Sequence, residues 1–120
     1  MMAIFVVHSH FSKNHHYDLR LEYGNSLKSW AIPKIPPLKS GIKRLAVQVP
    51  NHPLSYARFQ GTIESGYGTG KVKIWDKGTF SIISKNNNKL LVNFKGKKLK
   101  GRYTLIRFKN KNWLFFKQKI

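Results

Sequence analysis

The chain contains no cysteine, which removes disulfides and thiolate zinc sites from consideration. Acid is nearly as scarce: four Asp+Glu stand against 23 Lys+Arg, for a formal net charge of +19. Long apolar runs are missing too. The opening MMAIFVV is too short for a signal-peptide core or a membrane span, so a cytoplasmic protein with no membrane partner is expected. No segment sustains a helical period, and no Ser–His–Asp set or thiol nucleophile can be made out. The run Gly66-Tyr67-Gly68-Thr69-Gly70 lacks the Lys-Ser/Thr ending of a phosphate-cradling P-loop and no helix follows it, so it reads as a tight connection.

What is present bounds the rest. At 120 residues the chain is long enough for one domain, residues 1–120, with a modest core of its own, and a monomer is expected. The excess of base predicts a polyanionic partner, nucleic acid first, and a nucleoid-associated location. The charge is uneven. Residues 71–120 hold 15 Lys+Arg against the single acid Asp76, whereas residues 1–70 hold eight against three. The second half therefore looks like a docking surface for a nucleic-acid backbone, bound without sequence preference and weakened by salt.

Strand patterns dominate the order of elements. Ile4 to Val7 reads as a strand, Phe11 to His15 as a polar loop, and Tyr17 to Tyr23 as a strand. Gly24-Asn25 is a tight-turn pair, and Leu27 to Ile32 returns as the second arm of a hairpin. Pro33 to Gly41 is a stiff loop. Arg44 to Val49 alternates again, and His52 to Phe59 suits a short helical turn after Pro53. Gly61 to Gly70 reads as a loop. Val72 to Trp75 and Thr79 to Ser84 read as two strands either side of Asp76-Lys77-Gly78. Leu90 to Phe94, Arg102 to Phe108 and Trp113 to Lys117 follow. The pattern predicts an all-β protein, a small closed β-barrel of about eight strands with short helical turns.

The chemistry concentrates in HFSKNHHYDLRLE, residues 10–22. Alternation places His16, Asp18, Arg20 and Glu22 on one strand face and Tyr17, Leu19, Leu21 and Tyr23 on the other. The second set is a core face. The first gathers an imidazole, a guanidinium and two of the chain's four carboxylates. His16 and Asp18, two residues apart, leave the strand about 6–7 Å apart at the backbone, and His10 can close a third position across the loop. Two imidazoles and a carboxylate suit Mn²⁺, Zn²⁺ or Fe²⁺ with positions left open. The competing reading is surface histidines in a basic protein, and His8 and His15 are read that way. Arg20, Arg44, Lys34 and His52 are candidates for phosphate, because a guanidinium matches two phosphate oxygens where lysine offers a point charge. In so basic a chain most such residues are simply solvated; Arg20 is singled out by its face. Glu22 is expected to hold Arg20 or a ligand histidine in place. Of Trp75, Phe80, Tyr103, Trp113, Phe115 and Phe116, some can stack bases and most suit the core.

Taken together, FVVHSHFSKNHHYDLRLE, LKSWAIPK, KRLAVQV, NHPLSYARFQGTI, GTGKVKIWDKGTF, LKGRYTLIR and WLFFK resemble, in identity and spacing, the 3′-phosphoesterase domain of bacterial DNA ligase D and its stand-alone archaeal relatives. The resemblance runs from Phe5 to the C-terminus. It implies a β-barrel that repairs DNA 3′ ends in non-homologous end joining, by removing a terminal ribonucleoside and then the remaining 3′-phosphate. It implies a divalent metal, manganese first with zinc or cobalt as substitutes, on His10, His16 and Asp18. It also implies phosphate contacts from Arg20, Lys34, Arg44, His52 and Tyr56. Protonation of the departing oxygen would fall to His52 with Tyr56 assisting. The implied partners are DNA or DNA/RNA 3′ ends and a separate ligase or polymerase. The sequence departs from the family pattern at Pro50, where relatives carry an acid, and in IESGYGTG, one residue shorter than usual. It also begins after an N-terminal arm that bears further active-site residues, which moves the expectation toward phosphate removal. A non-enzymatic nucleic-acid-binding β-module is the competing class; a metal-binding regulator lacks any thiolate site or obvious dimer element.

Overall fold

The computed structural model describes residues 3–64, 66 and 69–119. In chain order the strands are β1 (Ala3–Phe11), β2 (His15–Tyr23), β3 (Ser26–Ile32), β4 (Lys43–Pro53), β5 (Gly61–Ile63), β6 (Gly70–Asn86), β7 (Lys89–Gly96), β8 (Lys100–Lys109) and β9 (Asn112–Lys117). One 3₁₀ turn, Leu54–Arg58, follows β4. Each strand pairs antiparallel with its neighbour in the order β1-β2-β3-β4-β9-β8-β7-β6-β5, and β6 pairs with β1 as well. That last pairing closes eight strands into a barrel and removes the open edges that invite aggregation. β5 rides on β6 outside the closed ring, pairing through Gly61↔Val72 to Ile63↔Gly70.

The barrel interior is the core. Phe5, Val7, Leu19, Leu21, Trp30, Phe80, Phe94, Tyr103 and Phe115 fill it, with Phe94 set edge-on to both Phe5 and Tyr103 at 4.7 and 5.2 Å between centroids. Such contacts add about 0.5–1.5 kcal/mol each beyond the area they bury. A smaller apolar cluster lies on the outside of the wall, where Val6 and Leu27 meet Ala57, Leu54 and Tyr56 of the 3₁₀ turn. Because β1 is covered on both sides, Phe5 to His10 are all buried.

Three sequence expectations need correction. The two strands proposed around Asp76-Lys77-Gly78 are one 17-residue strand. Asp76 is turn-forming chemistry used elsewhere: its carboxylate accepts the backbone N–H groups of Lys97, Lys98 and Leu99 at 3.0, 3.1 and 2.8 Å. It thereby ties β6 to the β7–β8 connection. Gly96 makes room, since a Cβ there would stand 2.5 Å from Asp76 Oδ2. The loop proposed for Gly61 to Gly70 contains β5; its Tyr67 and Gly68 lie outside the described residues. Lastly, β1 runs on to Phe11, so the polar loop before β2 shrinks to residues 12–14. The β1–β6 register slips between Val7, opposite Asp76, and His8, opposite Ile74. Trp75 is therefore an extra residue, a bulge beside the site described next.

Candidate metal centre

Cross-strand partners share a face of the sheet. β1 and β2 pair Val6 with Arg20, His8 with Asp18 and His10 with His16. Phe5, Val7, Leu19 and Leu21 face the interior, so these three pairs stand on the outer wall. The 3₁₀ turn and the segment around Ile63 and Thr69 cover them and leave a cavity of about 290 Å³.

His10, His16 and Asp18 each offer one ligand atom, and all three atoms lie within 4.8 Å of one another. His10 Nδ1 is 3.5 Å and His16 Nε2 3.3 Å from the same oxygen, Asp18 Oδ2. Donors bonded to one ion at about 2.0–2.2 Å stand about 3–3.5 Å apart, so the spacing fits a shared divalent cation. Tautomers fit as well. His10 Nε2 lies 3.3 Å from the carbonyl of Thr69 and His16 Nδ1 3.2 Å from that of Asn14. A nitrogen facing a carbonyl must carry the proton, which leaves the lone pair of the other nitrogen for the metal. Burial drives the Asp18 carboxyl upward, but the hydrogen bond from His16 and the charges of Arg20, His16 and His10 outweigh it and hold it below the usual carboxylate range. The reciprocal bond to Asp18 raises His16.

Arg20 is 4% exposed, and its guanidinium is held from several sides. Nε donates to His8 Nδ1 at 3.1 Å, Nη1 to Ser29 Oγ at 2.8 Å and to His52 Nδ1 at 3.0 Å, and Nη2 stands 3.4 Å from Asp18 Oδ2. The Tyr56 ring lies 4.9 Å from its central carbon. Arginine only donates, so the nitrogens it meets on His8 and His52 are acceptors. Burial, then the Arg20 charge, pulls His8 down to about 4 and lowers His52, so both are neutral near neutral pH. Burial raises the Tyr56 hydroxyl.

The sequence placed His10, His16, Asp18, Arg20, His52 and Tyr56 in one site, and all six line this cavity. Other predicted residues lie elsewhere. Glu22 shares the strand face but sits at its far end, where Oε1 accepts the Ile4 N–H at 2.8 Å and holds the β1–β2 start instead of Arg20. Arg44 Nε is bound to the Ile35 carbonyl at 2.8 Å, and Lys34 is exposed in the same loop; neither lines the cavity. His8, read as a surface residue, is fully buried and donates to the Phe59 carbonyl at 3.1 Å. His15 is exposed, as expected, and stacks on Phe11. Ser29, Ser12 and Lys13 were not foreseen. His8 was recoverable, because extending β1 by alternation from His10 puts it on the same face; Ser29 carried no signal of its own.

A family model described as the DNA ligase D 3′-phosphoesterase domain matches residues 8–107. The chain belongs to that family. Relatives include a multifunctional non-homologous end joining DNA repair protein of Mycobacterium tuberculosis, 43% identical over 115 residues that cover 92% of this chain and 15% of the relative. The corresponding end-joining protein of Pseudomonas aeruginosa is 42% identical over 125 residues, covering 96% of this chain and 15% of the relative. That of Mycolicibacterium smegmatis is 38% identical over 127 residues, covering 96% and 17%. The chain thus spans about a sixth of the length of the curated relatives it matches. The His10–His16–Asp18 group lies within the residues that the family model matches. No helix among the described residues is long and apolar enough to cross a membrane.

Proposed function

We propose that this chain is a divalent-metal-dependent phosphoesterase that removes phosphate from DNA or RNA 3′ ends, in the service of DNA repair by end joining. The observation that carries the reading is the outer-wall cluster: three metal-type donors converge on one centre, and an immobilised guanidinium stands 3.4 Å from the shared carboxylate oxygen. A purely nucleic-acid-binding barrel has no use for a buried carboxylate among histidines.

A divalent ion held by His10, His16 and Asp18 would supply Lewis acidity toward a phosphate oxygen; manganese is the first choice among such ions. The remaining work falls to the protein. Arg20, which lines the cavity, would stabilise the charge that builds on the equatorial oxygens of the phosphoryl group. Its other bonds are made in advance, so little reorganisation is needed as the charge develops. His52, with Nδ1 engaged by Arg20, keeps its proton on Nε2. Its neutrality makes it a hydrogen-bond donor to the phosphate in preference to a cationic proton source for the departing oxygen. Tyr56, stacked 4.9 Å from Phe59, offers a hydroxyl held protonated by burial. Lys34 and Arg44, outside the cavity, would contact the strand leading to the 3′ end. A terminal ribonucleoside would be taken by the same centre. A ligase and a polymerase of an end-joining system would use the resulting 3′-hydroxyl.

Incubation with a 3′-phosphate primer–template, with and without Mn²⁺, tests this. The expected product is a 3′-hydroxyl end formed only with metal and lost in His16→Ala. Duplex binding without any product in Mn²⁺ would return the chain to the class of non-enzymatic binding modules.

A further inference from the structure

A second cavity opens at the opposite mouth of the barrel, beyond the Glu22–Tyr23 end of β2. Lys28 lies opposite Leu21, Lys85 opposite Leu90 and Arg107 opposite Trp113. Leu21 and Trp113 belong to the interior core and Leu90 packs against it. Three cations therefore occupy inward-facing positions, which a barrel of this size normally fills with apolar side chains. With Trp30, Trp113 and Gln48 they line a space of about 320 Å³, within the range of about 300–1,000 Å³ for small-molecule sites, which favour barrel mouths.

Cations outnumber acids here, three to one. Lys28 Nζ and Lys85 Nζ stand 4.7 and 5.1 Å from the centre of the same Tyr23 ring, so two ammonium groups share one aromatic ring. Arg107 lies 5.7 Å from the Trp113 ring and is fixed by Nη2 bonds of 3.2 and 2.8 Å to the Asn87 carbonyl and Asn88 Oδ1. All ion pairs among the described residues involve Asp18. Glu22, the one acid that lines this cavity, has Oε1 on the Ile4 N–H. Donors are also in surplus deeper in. Trp30 Nε1 is buried with no protein acceptor. Gln48 Oε1 receives Trp113 Nε1 at 3.2 Å, which leaves the Gln48 amide N–H groups to donate. The site thus asks for an anion at the rim joined to a flat acceptor-bearing group beneath it.

We propose that this mouth binds one nucleotide of a nucleic-acid strand, with its phosphate among Lys28, Lys85 and Arg107 and its base against Trp113 near the Trp30 and Gln48 donors. Cation-rimmed aromatic surfaces hold single strands in this manner. Asp18 and Tyr23 are five residues apart on β2, about 16 Å at 3.3 Å per residue, or about five nucleotides of a stacked strand at 3.4 Å each. Binding here is independent of hydrolysis at the metal centre.

The test uses the Trp75→Phe chain, whose remaining tryptophans both line the cavity, with emission followed in EDTA. Deoxyadenosine monophosphate and a single-stranded oligonucleotide should each shift the emission saturably, the oligonucleotide at lower concentration. Deoxyadenosine and inorganic phosphate should each need at least about tenfold more, because each supplies half of the recognised group. Lys28→Glu with Lys85→Glu should weaken the nucleotide at least about tenfold at an unchanged far-ultraviolet spectrum. His16→Ala should leave its affinity unaltered. The proposal fails if the emission ignores the nucleotide, if the lysine variants bind within twofold of wild type, if His16→Ala abolishes the shift, or if the mononucleotide binds but the oligonucleotide does not.

Discussion

Two of the four carboxylates are buried, Asp18 on the outer wall and Asp76 at the β6 bulge, at 5% and 4% exposure. Their surroundings differ in kind. Asp76 meets three backbone N–H groups, which cannot move without unfolding the β7–β8 connection. Asp18 meets only side chains, two imidazoles and a guanidinium, at 3.3–3.5 Å and all through one oxygen. The first is a structural cap bonded to the backbone through both oxygens. The second is loosely satisfied and keeps coordination capacity for an ion. Burial of charge alone does not mark a site; the identity and spacing of the partners do.

Exchanging the two carboxylates for neutral residues should separate these roles. Asp18→Asn removes the charge on which the ion depends, and hydrolysis of a 3′-phosphate primer–template should fall by about 10³-fold or more, with a smaller change in Tm than Asp76→Ala produces. A loss of equal size in stability would make Asp18 a second structural cap. Arg20→Ala should lower kcat by about 10²–10³-fold, the scale of a lost oxyanion donor; a loss under tenfold would reduce Arg20 to scaffold. Asp76→Ala leaves one buried and two part-buried backbone donors unpaired and should cost about 3 kcal/mol, or about 10 °C in Tm, while the folded protein keeps its turnover. Normal stability in that variant would erase the contrast.

His8 supplies the subtlest test. Folded, it titrates near 4; unfolded, near 6.5. The unfolded chain therefore takes up the proton first as pH falls, so this contribution to stability is complete above pH 6.5 and lost progressively down to about 4. Between pH 6.5 and 5 the loss is about 2 kcal/mol. Urea denaturation in EDTA should show this dependence in wild type and a shallower one in His8→Gln, which keeps an acceptor for Arg20 and a donor for Phe59. Parallel curves would mean that His8 is not held neutral.

The contrast between the carboxylates also shows what the sequence could convey. Strand alternation from His16 to Tyr23 is enough to separate a core face from a chemical one, and His16, Asp18 and Arg20 follow from it, with His10 added from across the loop. Asp76 misled because Asp-Lys-Gly is local turn chemistry, whereas its partners lie more than twenty residues away on another connection. Glu22 and Arg44 lie away from the cavity for different reasons. Alternation does not report which end of a strand reaches the site, and Glu22 sits at the far end of β2; Arg44 shares the inner face of β4 with Ala46, opposite Phe115, whereas Val49 on the outer face lines the cavity. Lys28 and Arg107 follow by alternation from Trp30 and Leu105, whereas the inward register of Lys85 depends on the bulge between Ile82 and Ser84 in the β6–β7 pairing, which no single strand reveals.

The central claim is that His10, His16 and Asp18 together hold one divalent ion. Titration of Mn²⁺ into the purified chain, followed by electron paramagnetic resonance, measures this directly. One ion should bind per wild-type chain, and that binding should disappear in His16→Ala and in Asp18→Asn yet survive in folded Asp76→Ala. Stoichiometric Mn²⁺ binding that persists in His16→Ala and Asp18→Asn would contradict it.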